Sequence, residues 1–483
     1  MTNVEIILVR EGPMLSGDLA KLVSDENVIS LDAAKKQVSR AADPVKRVTG
    51  FFINNQSFYF LESHLQDGSY IVGIKLALKT SAKRVFAVLK ALENNRGFLA
   101  ETELPAFMFS PIGNLVGHKR SDIVINEALK LDLIKKEGDF YKLNEVYFRK
   151  SQVDFKYYKG VEVAKNFILN QFIDWARMIG LVSFDTPSLY SEFSKFQWAF
   201  TAPSYIGTLP HYNNGSLKPA FVLADILIGN EATEDDVLFF VEKIKILKAQ
   251  RNFSPIIPFL IVDRLSLEAL NLLKQNGVVI GFVYKLFGNG YIDLIRSLIN
   301  TVANAGAILK SNPDEFISLM EKISNLTDGK TNNLRGDIFE LAVGYYHARL
   351  CNNFDVSKKI YIDSWPYELD VFAVYPDHVN VAECKGLKRP LTLTEVDAWL
   401  IKNVKVRSWI ELQEAYNNKR HVFELWSTGG FEDDAFAKLQ IAGKAKRYDI
   451  KFYDQPGIIG KAKEIANSKF LSILNQYFLK EPV

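Results

Sequence analysis

Asp370, Glu383 and Lys385 stand on two short runs, Glu368-Leu369-Asp370-Val371-Phe372-Ala373-Val374-Tyr375 and His378-Val379-Asn380-Val381-Ala382-Glu383-Cys384-Lys385, separated by Pro376-Asp377. Runs rich in β-branched and aromatic residues broken by Pro-Asp predict antiparallel strands joined by a tight turn. Pairing Tyr375 with His378 brings Asp370 opposite Glu383, and Lys385 shares their face because side chains alternate along a strand. Carboxylates opposed across a ladder repel each other, so such an arrangement calls for a cation. Oxygen donors favour a hard ion, Mg²⁺ with Mn²⁺ as a substitute. That ion can polarise a phosphoryl oxygen and help generate hydroxide, while the lysine orients the water or balances charge. The chemistry implied is metal-assisted phosphodiester hydrolysis. A plainer reading makes Asp370 a strand cap and Glu383 with Lys385 a solvated charge cluster. Against it, Val379, Val381 and Ala382 leave this strand apolar on both sides.

On these residues the chain resembles the PD-(D/E)XK nuclease superfamily, whose hallmark is an aspartate on one strand and Glu-x-Lys on the next. Leu369 stands where the family name expects proline. The resemblance implies a restriction-endonuclease-like mixed sheet flanked by helices, with Asp370, Glu383 and the Cys384 carbonyl holding the metal and Lys385 ordering the attacking water. It also implies an acidic residue on the preceding helix, and Glu340 in Arg335-Gly336-Asp337-Ile338-Phe339-Glu340-Leu341-Ala342-Val343-Gly344 sits there, to support a second ion or the first one's ligands. Gly336 and Gly344 flank Glu340 by one helical turn, giving a thin face that can approach a sheet, which favours Glu340 over Asp337. His421 to Phe431 is similar to the later strand and helix of the same core, so the resemblance covers the last third of the chain, 326–483.

Other elements must present a substrate to this hairpin. Residues 1–68 read as helix, turn, helix, turn, helix and two strands, the outline of a winged helix, with Ser30 capping a helix that turns Ala34, Val38 and Ala41 inward. Lys35, Lys36 and Arg40 are left outward, and Lys46 with Arg47 begins the following strand, so these five residues are the DNA-binding candidates. Solvated basic faces and protein-docking winged helices are the competing reading. A second copy of the outline is expected over 69–150, where Ser121 would cap the last helix. Residues 151–325 read as an α/β domain in which Phe221 to Ile228, Val237 to Leu247, Ile256 to Val262 and Leu267 to Gln275 alternate strand and helix. This order resembles the end of a nuclease core and predicts a degenerate copy. Glu242-Lys243-Ile244-Lys245 lies in a helical pattern and supplies no Glu-x-Lys on a strand, so Asp225 reads as structural. Gly288-Asn289-Gly290 reads as a turn. In the helix Leu393 to Leu412, Trp399 and Trp409 beside Lys402, Lys405 and Arg407 fit base stacking or core packing equally. Gly429-Gly430 fits a phosphate-binding helix start or a turn.

A chain of 483 residues exceeds one hydrophobic core, so a multidomain α/β and α+β protein is expected. Cys351 and Cys384 make no disulfide framework, and the six histidines form no i, i+4 ligand pair, which argues against zinc and for a reducing cytoplasm. Asp225 and Asp263 interrupt the most apolar stretches, and Met1-Thr2-Asn3-Val4-Glu5 lacks the basic start of a signal peptide, so no membrane partner is expected. A net charge of +3 is too small to argue for nucleic acid alone. The expectation is a cytoplasmic, Mg²⁺-dependent DNA endonuclease. Its domain order resembles type IIS restriction endonucleases, with restriction or phage defence following by analogy. Double-strand cutting needs two sites, hence a homodimer. The competitors are a silent DNA-binding scaffold and a nuclease subunit active only beside a partner.

Overall fold

A computed structural model describes residues 1–149, 152–184, 186–206, 211–213, 216–250, 254–326, 335–444 and 448–479, and the side chains of 211–213, 216, 217, 335 and 337 are outside the described set. The chain is mixed α and β and divides into two compact units, Met1–Asp154 with Ala176–Gly281, and Phe155–Trp175 with Phe282–Val483. This division differs from the boundaries expected at 150 and 325: the amino-terminal modules join the middle sheet, and the helices on either side of that sheet join the carboxy-terminal unit.

In the first unit, helices Asn3–Glu11 (α1), Ser16–Asn27 (α2) and Leu31–Ser39 (α3) pack with strands Met14–Leu15 (β1), Val45–Val48 (β2) and Phe58–Leu61 (β3), in sheet order β1-β3-β2. Ser30 accepts from the Ala33 N–H and caps α3, and Ala34 and Val38 are buried with Leu8, Leu19 and Val23. The arrangement recurs with helices Lys83–Asn94 (α4) and Ser121–Lys130 (α5) and strands Phe98–Ala100 (β4), Ile134–Glu137 (β5) and Phe140–Leu143 (β6), in order β4-β6-β5. Here Arg120, not Ser121, is the cap residue, and no side chain caps the helix. The long helix Phe155–Met178 (α6) follows. Strands Ser188–Phe193 (β7), Phe196–Ser204 (β8) and Ala220–Ala232 (β9), helix Glu234–Lys248 (α7), strand Ile256–Leu265 (β10), helix Leu267–Gln275 (α8) and strand Val279–Phe282 (β11) then build a sheet ordered β11-β10-β9-β8-β7.

In the second unit, helix Arg335–Ala348 (α9) precedes a sheet ordered β12-β13-β14-β15-β16, from strands Asn353–Ile362 (β12), Trp365–Val374 (β13), His378–Lys385 (β14), Arg420–Ser427 (β15) and Asp449–Tyr453 (β16). The first three strands are antiparallel and the last three parallel. Helix Leu393–Glu411 (α10) makes the crossover from β14 to β15, as a parallel pair requires. Its Val396, Trp399, Val406 and Ile410 bury against Phe372, Val379, Val381, Phe423 and Leu425, each contributing roughly 1.5–3 kcal/mol. Phe155–Trp175 of α6 belongs to this unit because Gly160 lets it lie close: a Cβ there would stand 2.7 Å from the Ile299 carbonyl oxygen. Among the described residues no single helix is long and apolar enough to cross a membrane.

Candidate active site

The β13–β14 hairpin has the register expected from its turn. The Tyr375 N–H donates to the His378 carbonyl at 2.8 Å, and Val374↔Val379, Ala373↔Asn380, Phe372↔Val381 and Val371↔Ala382 follow. Regular pairing stops there, and Asp370 and Glu383 are the next residue on each strand, near enough that the charge of Glu383 acts on Asp370. Asp370, 9% exposed, turns its carboxylate to the neighbouring backbone and accepts from the Cys384 N–H at 2.7 Å. Glu383 is clamped by two ammonium groups, Lys385 at 2.9 Å and Lys402 of α10 at 2.7 Å. On the other side of β13, Ser357 stands across from Asp370 between the pairs Val356↔Val371 and Lys358↔Leu369, and its φ of 51° breaks the ladder. The Ser357 hydroxyl donates to Glu340 of α9 at 2.9 Å. Lys159 of α6 lies 3.5 Å from Glu340 and pairs with Glu368.

Burial, then the charges of Glu383 and Glu340, raise the Asp370 carboxyl well above its ordinary range. Glu340 is raised too, by burial first, with Lys159 opposing. Burial pushes Glu383 the same way, but Lys402 and Lys385 outweigh it and leave the group below its usual value. For Lys385, burial favours the neutral amine, yet Glu383 and Asp370 hold it above the ordinary lysine range. It therefore stays an ammonium at neutral pH, fitted to orient water or stabilise anionic charge and unfit to accept a proton.

Asp370, Glu383 and the Cys384 carbonyl oxygen are hard oxygen donors, the type a divalent ion takes, with Glu340 close enough to press on Asp370 electrostatically. The excess of buried negative charge on Asp370 is what such an ion would relieve. Among the described residues, however, no three His, Cys, Asp or Glu side chains gather as a ready ion cage. The oxygens of Glu383 are held by the two lysines. Cys384 is buried and its thiol is pushed up by burial, so the sulfur is a poor ligand.

Other expectations resolve on the packing. Gly344 makes the close approach to the sheet, its absent Cβ leaving room for Leu309 and Val356 at 3.1 Å, whereas Gly336 has nothing near it. The Asp337 side chain lies outside the described residues. Trp399 is a core residue and Trp409 packs on the same cluster, so the base-stacking reading of this helix is set aside. Gly429 and Gly430 form a turn, since a Cβ at Gly429 would stand 2.0 Å from the Arg389 carbonyl oxygen. The helix after it, Asp433–Ala442, opens with Asp433 and Asp434, which would repel a phosphate. Gly288 has a φ of 101° and likewise makes a turn.

In the first unit, Lys35 pairs with Asp32 at 3.6 Å and Lys46 with Asp43 at 2.6 Å, while Arg47 donates to the Ser39 carbonyl. Lys36 on α3 and Arg40 at its carboxy-terminal cap are exposed. Asp225 is structural as expected, and its partner is Lys243: both side chains are fully buried and 2.6 Å apart.

The two five-stranded sheets share one topology, two antiparallel pairings followed by a parallel one after a crossover helix. In each, an acid on the middle strand meets a lysine ten residues beyond the threonine that caps the crossover helix: Asp225 and Lys243 after Thr233, Glu383 and Lys402 after Thr392. Ala199 donates its N–H to Asp225 and occupies the place of Asp370, and Leu227 that of Lys385. The first sheet keeps the strand-to-helix ion pair, with Ala199 and Leu227 in place of the aspartate and the second lysine.

Sequence reasoning missed Lys159, Ser357 and the tie from Lys402 to Glu383. It also missed a buried group around Glu424 of β15, which accepts from Asn380 at 2.7 Å and Trp426 at 2.9 Å and lies 3.3 Å from His347. Burial alone would raise Glu424, but these partners hold it down to about 2. A carboxyl depressed in the folded state stabilises above its unfolded value and loses that contribution as pH falls through the folded one. Acid unfolding of the native protein is therefore expected to steepen between about pH 4.5 and 2, and Glu424→Gln to flatten it; superimposable curves would refute this role.

Compared with known proteins, the chain matches no family model, no curated protein and no solved structure.

Proposed function

We propose that the chain is a divalent-ion-dependent DNA endonuclease whose active site is the parting of β13 and β14. One observation carries the reading: just past the last ladder pair, Val371↔Ala382, Asp370 and Glu383 come close enough that the charge of Glu383 acts on Asp370, with the Lys385 ammonium on Glu383 and Glu340 brought alongside from α9. Asp370, Glu383 and the Cys384 carbonyl would hold Mg²⁺ or Mn²⁺. The bound ion supplies polarisation of the scissile phosphodiester and a lowered pKa for an attacking water. Lys385, kept protonated by Glu383 and Asp370, positions that water and offsets charge on the phosphoryl oxygens. Lys402 orients Glu383 from the opposite side. Asp370→Ala and Lys385→Ala are each expected to abolish Mg²⁺-dependent cleavage of duplex DNA with binding nearly intact. Cutting retained by both variants refutes the assignment.

Duplex positioning falls to the amino-terminal modules, whose strand order and capped third helix support the winged-helix reading. Lys36 and Arg40 are the strongest phosphate contacts, since Lys35 and Lys46 already have carboxylate neighbours. Replacing both with alanine is expected to weaken duplex binding at every sequence and to reduce the salt slope by about 1 per lost contact. An unchanged slope assigns this face to protein docking.

A further inference from the structure

Within the first unit, the two amino-terminal modules enclose a cavity of about 430 Å³, a size usual for small-molecule sites. Part of its wall is aromatic: Phe51 and Phe52 from the loop between β2 and β3, and Phe109 from the second module. Another part is cationic, since Lys83 and Arg84 begin α4 and Lys119 precedes α5. Among the described lining residues the one carboxylate, Glu127, is held by Lys119 at 2.5 Å. Two positive charges are left over. Arg84 is half-buried, where a guanidinium is ordinarily paired with a carboxylate, yet its partner among the described residues is the His118 ring, with Nη2 donating to Nδ1 at 3.3 Å. Its Nε is buried and has no acceptor. Burial, then the charge of Arg84, keeps His118 below its usual value, so the ring brings no compensating charge. Lys83 and Arg84 also stand in the first turn of α4, where the helix dipole favours acids and none is present.

We infer that this cavity binds a nucleotide unit, with its phosphate on Arg84 and Lys83 and its base against the phenylalanines. A guanidinium fork matches two phosphate oxygens, and the buried Nε supplies the donor that the fold leaves unused. Aromatic rings accept the face of any base, so the two parts of the lining suit the two parts of one ligand. The same chemistry is offered by a free mononucleotide and by one unit of a bound strand. The inference is independent of the catalysis proposed for β13 and β14, and uses neither Lys36 nor Arg40.

Titration of the full chain with dAMP, deoxyadenosine and single-stranded oligo(dA) tests this, in EDTA so that no divalent ion contributes. Arg84→Gln, with native circular dichroism, is expected to weaken binding of dAMP or of the strand about tenfold, the worth of one hydrogen bond to a charged group. Deoxyadenosine, which has no phosphate, is expected to bind both proteins alike. A loss seen with dAMP identifies a free nucleotide as the ligand, and a loss confined to the strand identifies a unit of bound nucleic acid. Glu127→Gln, which frees Lys119, is expected to tighten the responding probe about threefold, the scale of one half-exposed charge. Native protein that binds neither phosphate-bearing probe, unchanged affinity in Arg84→Gln, or an equal loss for deoxyadenosine overturns the inference. Should Arg84→Gln fail to fold, Lys83→Gln at an exposed position decides it: a loss of about threefold is expected, and native affinity overturns it.

Discussion

Asp370→Asn is expected to end Mg²⁺-dependent cutting while making the metal-free protein more stable. The two effects have one cause. Asp370 is buried, receives a single backbone N–H at 2.7 Å, and faces the charges of Glu383 and Glu340. An ionised carboxylate in that position costs free energy that the fold does not recover locally. Asparagine keeps the shape and an oxygen to accept from Cys384, and removes the charge. Stability in the absence of metal should rise by roughly 1–3 kcal/mol, the range for relieving a poorly compensated buried polar group. Cleavage should fall on the order of 10²–10³-fold or more, as when one electrostatic contact to a transition state is lost. Added Mg²⁺ should then reverse the order, stabilising the native protein and leaving the variant unchanged. A variant less stable than the native protein without metal would mean that Asp370 is an ordinary structural acid, capping the end of β13.

The part of the site that could be read from sequence is the part built by neighbours. Register in a hairpin is local: the Pro376-Asp377 turn sets Tyr375 against His378, and alternation carries that choice along to Asp370 and Glu383. Glu340 was legible because Gly344 marks where α9 touches the sheet, although Gly336 supplied no such contact. Lys159 was not legible. It reaches Glu340 and Glu368 across about two hundred residues of chain, and on its own helix it looks like any exposed lysine. The role of Lys402 stayed open for a related reason, since tryptophans and lysines at helical spacing look alike whether the aromatic rings face bases or a core. The two compact units divide between Trp175 and Ala176 within α6, a continuous helix with no glycine or proline break there, so the sequence carries no mark of that division.

Lys243→Met is expected to be among the most damaging single substitutions in the first unit. Its ammonium is fully buried, donates to Asp225 at 2.6 Å and to the Ala106 and Gln197 carbonyls at 2.7 and 3.0 Å, and lies 4.0 Å from the centre of the Trp198 ring. Burial drives the Lys243 pKa down and that of Asp225 up to about 6, the signature of a pair held together by mutual need. Methionine fills the space but strands the carboxylate with one N–H from Ala199, which costs about 3–5 kcal/mol. Replacing both partners, Asp225→Leu with Lys243→Met, should recover the part of that loss that comes from the stranded carboxylate, and leave the Ala106 and Gln197 carbonyls without their lysine donor. The counterpart in the second unit gives the contrast. Lys402 is 23% exposed and Glu383 keeps Lys385, so Lys402→Met should cost far less stability and act instead on how Glu383 is held. Hydrogen exchange over residues 220–248 and 378–411 reads the two losses separately. Equal protection losses would mean that both pairs are structural, and that Lys402 has no part in the chemistry proposed for the second sheet.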